Sequence, residues 1–489
     1  MRSTNKIILL VSFFLSLHAA LKSQINGNNL LEYQFGELPG DSAAISTVYD
    51  RANLNYTYQN FKGGVTLEQF HSPIEKRNYT KLSQYLLQYN SEMLDVKIGN
   101  FYETIGRGLL LRSYEIPGAV LEDLSYRSRH YFHRDIAGFT TKFHHKNFST
   151  KLIYGKPLNY VFPPSQSDSY RRPDIIEAIY SEYSFKKQTI GASVLRLTNS
   201  SKSAVYSMVT ASGNLSPVIS YYTEMAKNIS NFGLADFSSQ APYALYVGIN
   251  LSFNNLGISA EAKSYNNFLI GAGVNEPPAL VKEHTYKVLN RSTHVLQPLN
   301  EKGYQIEVFY TFPDLSTLTL NNTIAINNFG KKFIFHEYFA EYDFVWRDMH
   351  DVKIFADYAE DPFKLEEQRI SAGAYFEWKI LQTSSLKTDY EFQTYNRLEK
   401  KVQNHVLSLG YTYKSKLVFN ITSELSDDAF ITNNKTKTWV GSTIKYKINP
   451  ENSVQLFLGQ RRGGSACNAG VCYEVLDFKG IELRLTSRF

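Results

Sequence analysis

A single all-β domain, an antiparallel transmembrane β-barrel of about 24 strands, is the fold this sequence predicts. Three observations predict it. Short segments alternate apolar with polar residues, the connections between them switch between tight and long, and no apolar run long enough for a membrane helix follows the N-terminal leader.

Composition narrows the class before any residue is placed. The 489 residues show no composition shift or Pro/Ser-rich linker that would divide them, so they read as one unit. With 35 Tyr and 32 Phe the chain is 14% aromatic, an excess that suits strands and interfacial girdles better than helices. A mean hydropathy of −0.31 excludes a helical membrane protein. It does not exclude a barrel, because half of every spanning strand faces the lumen.

The first element is an address. Arg2 and Lys6 precede the apolar residues 7–17, and small residues follow at Ala19, Ala20 and Ser23, the layout of a cleavable export signal over residues 1–23. The barrel then occupies residues 24–489. The chain carries 52 basic and 46 acidic residues, and losing Arg2, Lys6 and Lys22 with the signal brings it closer to neutral. A balance so near zero gives no reason to expect a nucleic-acid partner.

Past a weak first strand near residues 28–36, the alternation is clear. Tyr243, Leu245, Val247, Ile249, Leu251 and Phe253 share one face; Tyr304, Ile306, Val308, Tyr310 and Phe312 share another; Val352, Ile354, Ala356 and Tyr358 a third. Gln305, Glu307, Asp351, Lys353 and Asp357 lie opposite them. Tight links are expected at residues 63–64, 146, 186–187, 212–214, 254–255, 313–314, 414–415 and 449–451. Longer ones are expected at 102–134, 155–174, 228–242, 265–302, 396–401 and 427–436. Short periplasmic turns on one rim and long extracellular loops on the other are a barrel's arrangement, and a soluble sandwich has little reason to keep that parity. Single-chain bacterial barrels have even strand numbers, which sets the count at about 24, within two or so.

The last segment, residues 479–489, puts Ile481, Leu483, Leu485 and Phe489 on one face and Glu482, Arg484, Thr486 and Arg488 on the other. It resembles the closing strand of bacterial outer-membrane barrels, and that resemblance gives Phe489 the role of an assembly signal.

The loop at 102–134 holds the apolar run Leu109, Leu110 and Leu111, poorly placed in free solvent, so it is expected to fold against the wall or into the lumen. Its Arg107, Arg112, Arg127, Arg129 and Arg134, with Arg484 and Arg488 on the lumen face of the last strand, are candidates for a pore constriction biased toward anions. Arg171 and Arg172 on the next long loop would add to that field. The competing reading pairs such arginines with carboxylates or with lipopolysaccharide. His130 and His133 lack a third metal ligand, and no nucleophile-and-base motif occurs, so neither a metal, a cofactor nor an enzymatic activity is expected. Cys467 and Cys472 flank a short glycine-containing loop in an exported chain, which predicts a disulfide that stiffens the last outer loop.

Two stretches carry a resemblance to a family. Gly99-Asn100-Phe101-Tyr102-Glu103 with Gly106-x-Gly108-Leu109 and Arg112-Ser113-Tyr114-Glu115, and the ending from Gly459-Gln460-Arg461 through the cysteines to Thr486-Ser487-Arg488-Phe489, are similar to an uncharacterised family of Bacteroidota outer-membrane, porin-like barrel proteins. The resemblance implies location and fold but no activity. Two functions are then expected: a porin-like channel for hydrophilic solutes, or a plugged barrel that docks envelope proteins such as secretion or barrel-assembly machinery. Either would contact outer-membrane lipid and lipopolysaccharide, and the assembly machinery during insertion.

Overall fold

The computed structural model describes residues 25–38, 43–122, 128–158, 174–199, 202–231, 233, 236, 240–271, 273–296, 299–433, 435–468 and 471–489, with side chains described except at 466–474. The expected signal at 1–23 therefore lies outside the described residues. Twenty-four strands form one antiparallel sheet. Each pairs with its neighbours in the chain, except that Leu94–Phe101 pairs with Ile136–His145, and Asn452–Arg461 with Phe478–Arg488, across insertions. The sheet closes where Phe478–Arg488 lies between Asn452–Arg461 and Ile25–Glu37, with Leu485 opposite both Val454 and Leu31. The weak first strand is thus longer than expected and completes the ring.

Closure sorts the side chains. On the last strand Ile481 and Leu483 are 40% and 41% exposed, while Glu482 between them is 2% exposed. The same holds along His350–Asp361, where Ile354 and Tyr358 face outward and Phe355, Asp357 and Ala359 are buried within. An apolar belt outside and polar groups inside are what lipid demands, since no unpaired backbone group can be left in hydrocarbon. Tyr56, Tyr58, Phe61, Phe253, Tyr310, Trp346, Trp378, Tyr413 and Tyr446 form an outer aromatic girdle near one rim.

That rim carries the short turns at 59–60, 91–93, 146–147, 186–187, 217–218, 254–255, 312–316, 347–349, 382–383, 414–416 and 448–451. Gln59, Lys146, Lys186 and Asn254 adopt positive φ there, as two-residue hairpin turns require. Two expected turns are displaced. Gly63 and Gly64 lie inside Phe61–His71, and residues 212–214 lie inside Ser203–Ser216; the chain turns at 59–60 and 217–218 instead. Glycine is not punctuation here: a side chain at Gly64 would meet Asn55 and one at Gly213 would meet Gln188, while Gly63 has open space beside it. The expected long link at 396–401 is also a tight turn, at Leu398 and Glu399, both at positive φ.

Glycines also line up across the closing seam: Gly36 faces Gly480, Gly480 faces Gly459, and Gly459 faces Gly441. The rings of Phe457 and Phe478 occupy the space that side chains at Gly441 and Gly36 would fill. At the turn rim, Phe489 exchanges backbone hydrogen bonds of 2.8 and 3.0 Å with Gly27.

Ile354→Arg, on the lipid face, is expected to lower folding stability by about 2–4 kcal/mol. Urea titration of the barrel refolded into vesicles checks this, with the lumen-facing Lys353→Arg next to it expected to change little.

Candidate functional site

At the loop rim the chain's own insertions enter the lumen and dock on different parts of the wall. The first, residues 102–113, turns through Gly106 (φ +60) and Gly108 (φ +99). A side chain at Gly106 would collide with the Glu224 carboxylate, so glycine is what allows this approach. Glu224 accepts the Arg107 N–H at 2.6 Å and the Leu109 N–H at 3.1 Å. Ile105, Leu109, Leu110 and Leu111 are fully buried against an apolar upper wall that includes Ile153, Ile176, Leu195, Leu197 and Met208. Each such side chain is worth about 1.5–3 kcal/mol when removed from water.

The second insertion is the hairpin Tyr114–Glu122 with Arg129–Arg134. Arg129 pairs with Glu32 at 2.7 Å, and the Tyr131 N–H donates to Glu68 at 2.9 Å. The Arg51 guanidinium lies 3.6 Å from the Tyr131 ring centre, and His130 stacks on Tyr79 with ring centres 5.0 Å apart.

The third, residues 267–300, crosses from the first to the far wall. Arg112 N–H donates to the Val274 carbonyl at 2.9 Å, and the Asn275 amide donates to the Leu109 carbonyl at 3.1 Å. Further on, the short helix Lys287–Arg291 sets its first amides on Glu391, Val288 at 2.8 Å and Lys287 at 3.0 Å. Arg291 reaches Glu424, His294 bonds Asp361 at 3.0 Å, and His284 bonds Glu337 at 3.2 Å. Fully buried Arg369 joins Glu337, Asp357 and Glu366 on the wall to the Ser292 carbonyl of the insertion. Buried pairs of this kind add little net stability but fix one geometry, because losing a partner strands a charge at a cost of about 3–5 kcal/mol.

A last hairpin, Gly464–Asn468 with Val471–Val475, rests against the helix and the strand Tyr114–Glu122. Its register sets Cys467 opposite Cys472. The side chains of both lie outside the described residues.

The candidate arginines fare differently from one another. Arg129 and Arg484 share Glu32, and Arg134 meets Glu276 at 2.5 Å. Arg112 lies over the Tyr114 ring. Arg107 is exposed to the lumen, 5.2 Å from the Tyr222 ring centre, and Arg488 is exposed at the turn rim. Arg127, Arg171 and Arg172 fall outside the described residues. His130 and His133 part company, the first stacking on Tyr79 and the second facing Asp135 at 4.0 Å. Among the described residues no group of three or more metal-ligating side chains converges.

Sequence reasoning missed the receiving side of these docks: Glu32, Glu68, Glu224, Glu391 and Arg369. A signal existed only in part: Glu224 is a charge beside the inward Ala226, but Glu391 lies between Asp389 and Gln393, and Arg369 between Glu367 and Ser371, where nothing sets a docking charge apart from an ordinary polar lumen.

These features define a class: a closed, membrane-spanning β-barrel whose lumen is occupied at one rim by its own loops. The sequence profile of a family of unknown function (DUF6029) matches residues 41–116 and 179–457, more than half of the chain, and the chain belongs to that family. No curated protein matches it in sequence. Among solved structures, it is similar to the translocation pore of the P pilus usher PapC, with TM-score 0.50 and 10% identity over 95% of this chain and 99% of that one. It is also similar to a chain of the E. coli PapC-PapD-PapK-PapG tip assembly intermediate, with TM-score 0.56 and 8% identity over 95% of this chain and 60% of that one. At such identities the likeness establishes the fold alone.

Glu224→Gln is expected to weaken the dock of residues 102–113 by about 1–3 kcal/mol, the cost of degrading a buried acceptor. Faster tryptic cleavage at Arg107 and Arg112 in the folded barrel would report it. Acid should loosen the hairpin instead. Burial, with the Lys81 ammonium adding to it, pushes the His130 pKa down to about 3, and burial lowers that of His133 as well. Released, either ring titrates near ~6.5. The docked form is thus fully favoured above about 6.5 and loses that advantage as pH falls toward 3, because the released form binds protons first. Hydrogen exchange in residues 114–134, corrected for intrinsic rate, should rise between pH 7.5 and 5, and His130→Phe should flatten the rise.

Proposed function

We propose that the protein is an outer-membrane, porin-like barrel whose passage for small hydrophilic solutes is restricted by the docked insertions. The observation that carries this reading is the burial of Leu109, Leu110 and Leu111 against the apolar upper wall, which holds residues 102–113 inside the lumen. In this reading the loop rim faces outward and the turn rim faces the periplasm. Residues 1–23 are removed on export, Phe489 is the mark read by the barrel-assembly machinery, and the outer rim contacts lipopolysaccharide. The register of Cys467 and Cys472 suits a disulfide in the last hairpin. With Arg129, Arg134 and Arg484 paired with carboxylates, Arg107, exposed beside Tyr222, is the described insertion arginine we assign to bias the path toward anions. No reaction is assigned.

The depth of the docking favours a second reading, in which the lumen stays shut and the barrel serves envelope partners as a docking subunit. Planar-bilayer recordings separate the two. Wild-type protein is expected to give small steps, and replacing residues 103–113 by a Gly-Ser linker should raise them severalfold, with heat-modifiable gel migration confirming that both barrels are folded. A large, steady wild-type conductance would sink the plug, whereas silence from both proteins would sink the channel and leave the docking subunit.

A further inference from the structure

Below the docked loop, on its turn-rim side, the lumen wall holds a cavity of about 270 Å³ that includes Lys142, Ser149, Lys151, Tyr180, Thr210 and Tyr222 in its lining. Its size suits one small ring rather than a chain of them.

Its chemistry has three parts. The first is a flat aromatic surface. Gly191 lies beside Tyr180 on the neighbouring strand, and a side chain there would meet both the ring and the hydroxyl of Tyr180. The glycine therefore leaves room for the ring, which lines the cavity. The ring is pinned, since its hydroxyl donates to Glu182 at 3.1 Å and lies 3.4 Å from the Thr210 hydroxyl.

The second part is a set of hydroxyls. Ser149 and Tyr180 are oriented by Glu182, Tyr222 by Glu224, and Thr210 stands beside Tyr180. A hydroxyl can still accept while it donates to a carboxylate, so this belt matches a ligand rich in O–H donors. The third is positive charge held outside close ion pairs, in a lining that also includes the Glu182 carboxylate. Glu103 holds both Lys97, at 3.1 Å, and Lys151. Arg107 and Lys142, by contrast, form no close ion pair among the described residues, although Asp95 stands opposite Lys142 in the register and Glu224 accepts the Arg107 N–H.

We propose that this cavity binds a single sugar ring bearing an acidic group, a uronate or a sugar phosphate. The Tyr180 face takes the C–H side of the ring, the hydroxyl belt takes its O–H groups, and Lys142 with Arg107 takes the anion through charge-assisted hydrogen bonds. The proposal rests on the reading above only in requiring the lumen to be reached by water from the turn rim.

Titration calorimetry on the detergent-solubilised barrel tests it, with glucuronate, glucose 6-phosphate, glucose and inorganic phosphate as probes. At least one of the two acidic sugars should bind about tenfold or more tighter than both glucose and phosphate, and which one does so identifies the anion. Lys142→Met should erase the advantage over glucose. Gly191→Val, and Tyr180→Leu as a second route, should weaken the sugars and leave phosphate unchanged, in barrels that still show heat-modifiable migration. Absence of sugar binding, equal binding of phosphate or of glucose, or indifference to these substitutions would overturn the proposal. A barrel silent in bilayers that still binds an acidic sugar would leave the site standing, and a conducting barrel that binds none would remove the site alone.

Discussion

Pairing of the last strand with the first is the interaction on which everything else depends. In hydrocarbon an unpaired N–H or C=O has no water to turn to, so a sheet with a free edge cannot stay there. The seam between Phe478–Arg488 and Ile25–Glu37 removes that edge. Only then does each strand have an inside and an outside, and only then can Glu32 and Glu482 sit buried while Leu31 and Leu483 meet lipid.

The inside of this barrel is graded. Near the loop rim the inward side chains are mostly apolar on one wall and mix carboxylates with apolar patches such as Phe339, Phe355 and Val406 on the far one, and the insertions match them. Leucines 109 to 111 meet isoleucine and leucine, whereas the Arg129 hairpin and the segment with His284 and His294 meet carboxylates. Burial draws the first insertion in without much regard for register, and hydrogen-bonded charges then select a position. Toward the turn rim the wall becomes hydroxylated and open, and the cavity under Gly106 marks the boundary.

The barrel was legible because lipid enforces a period of two on every strand, and length parity separated turns from loops. Turn positions were less so. Gly63 and Gly64 looked like a bend, but Gln59 supplies the positive φ, and nothing in a glutamine announces that. The inward fold of the leucine run could be read from its cost in solvent. Its destination could not, because Glu224 is 115 residues from Leu109 in sequence and is brought to it only by closure. The arginines illustrate the same limit: their charge is plain in the sequence, while the carboxylates that meet it, Glu32 on the first strand and Glu276 on the third insertion, are remote in the chain.

The glycine row across Gly36, Gly480, Gly459 and Gly441 has a mechanical side. Glycine in a strand interior is where sheets take tight bends, and because these four are register partners the row runs across the strands at one height, near their loop-rim ends. The four strands around the closure can therefore crease together there, with the Phe457 and Phe478 rings packed over the row. A thinner or more crowded bilayer should tilt the loop-rim ends of these strands about that row, leaving the walls that carry the insertions close to their resting curvature.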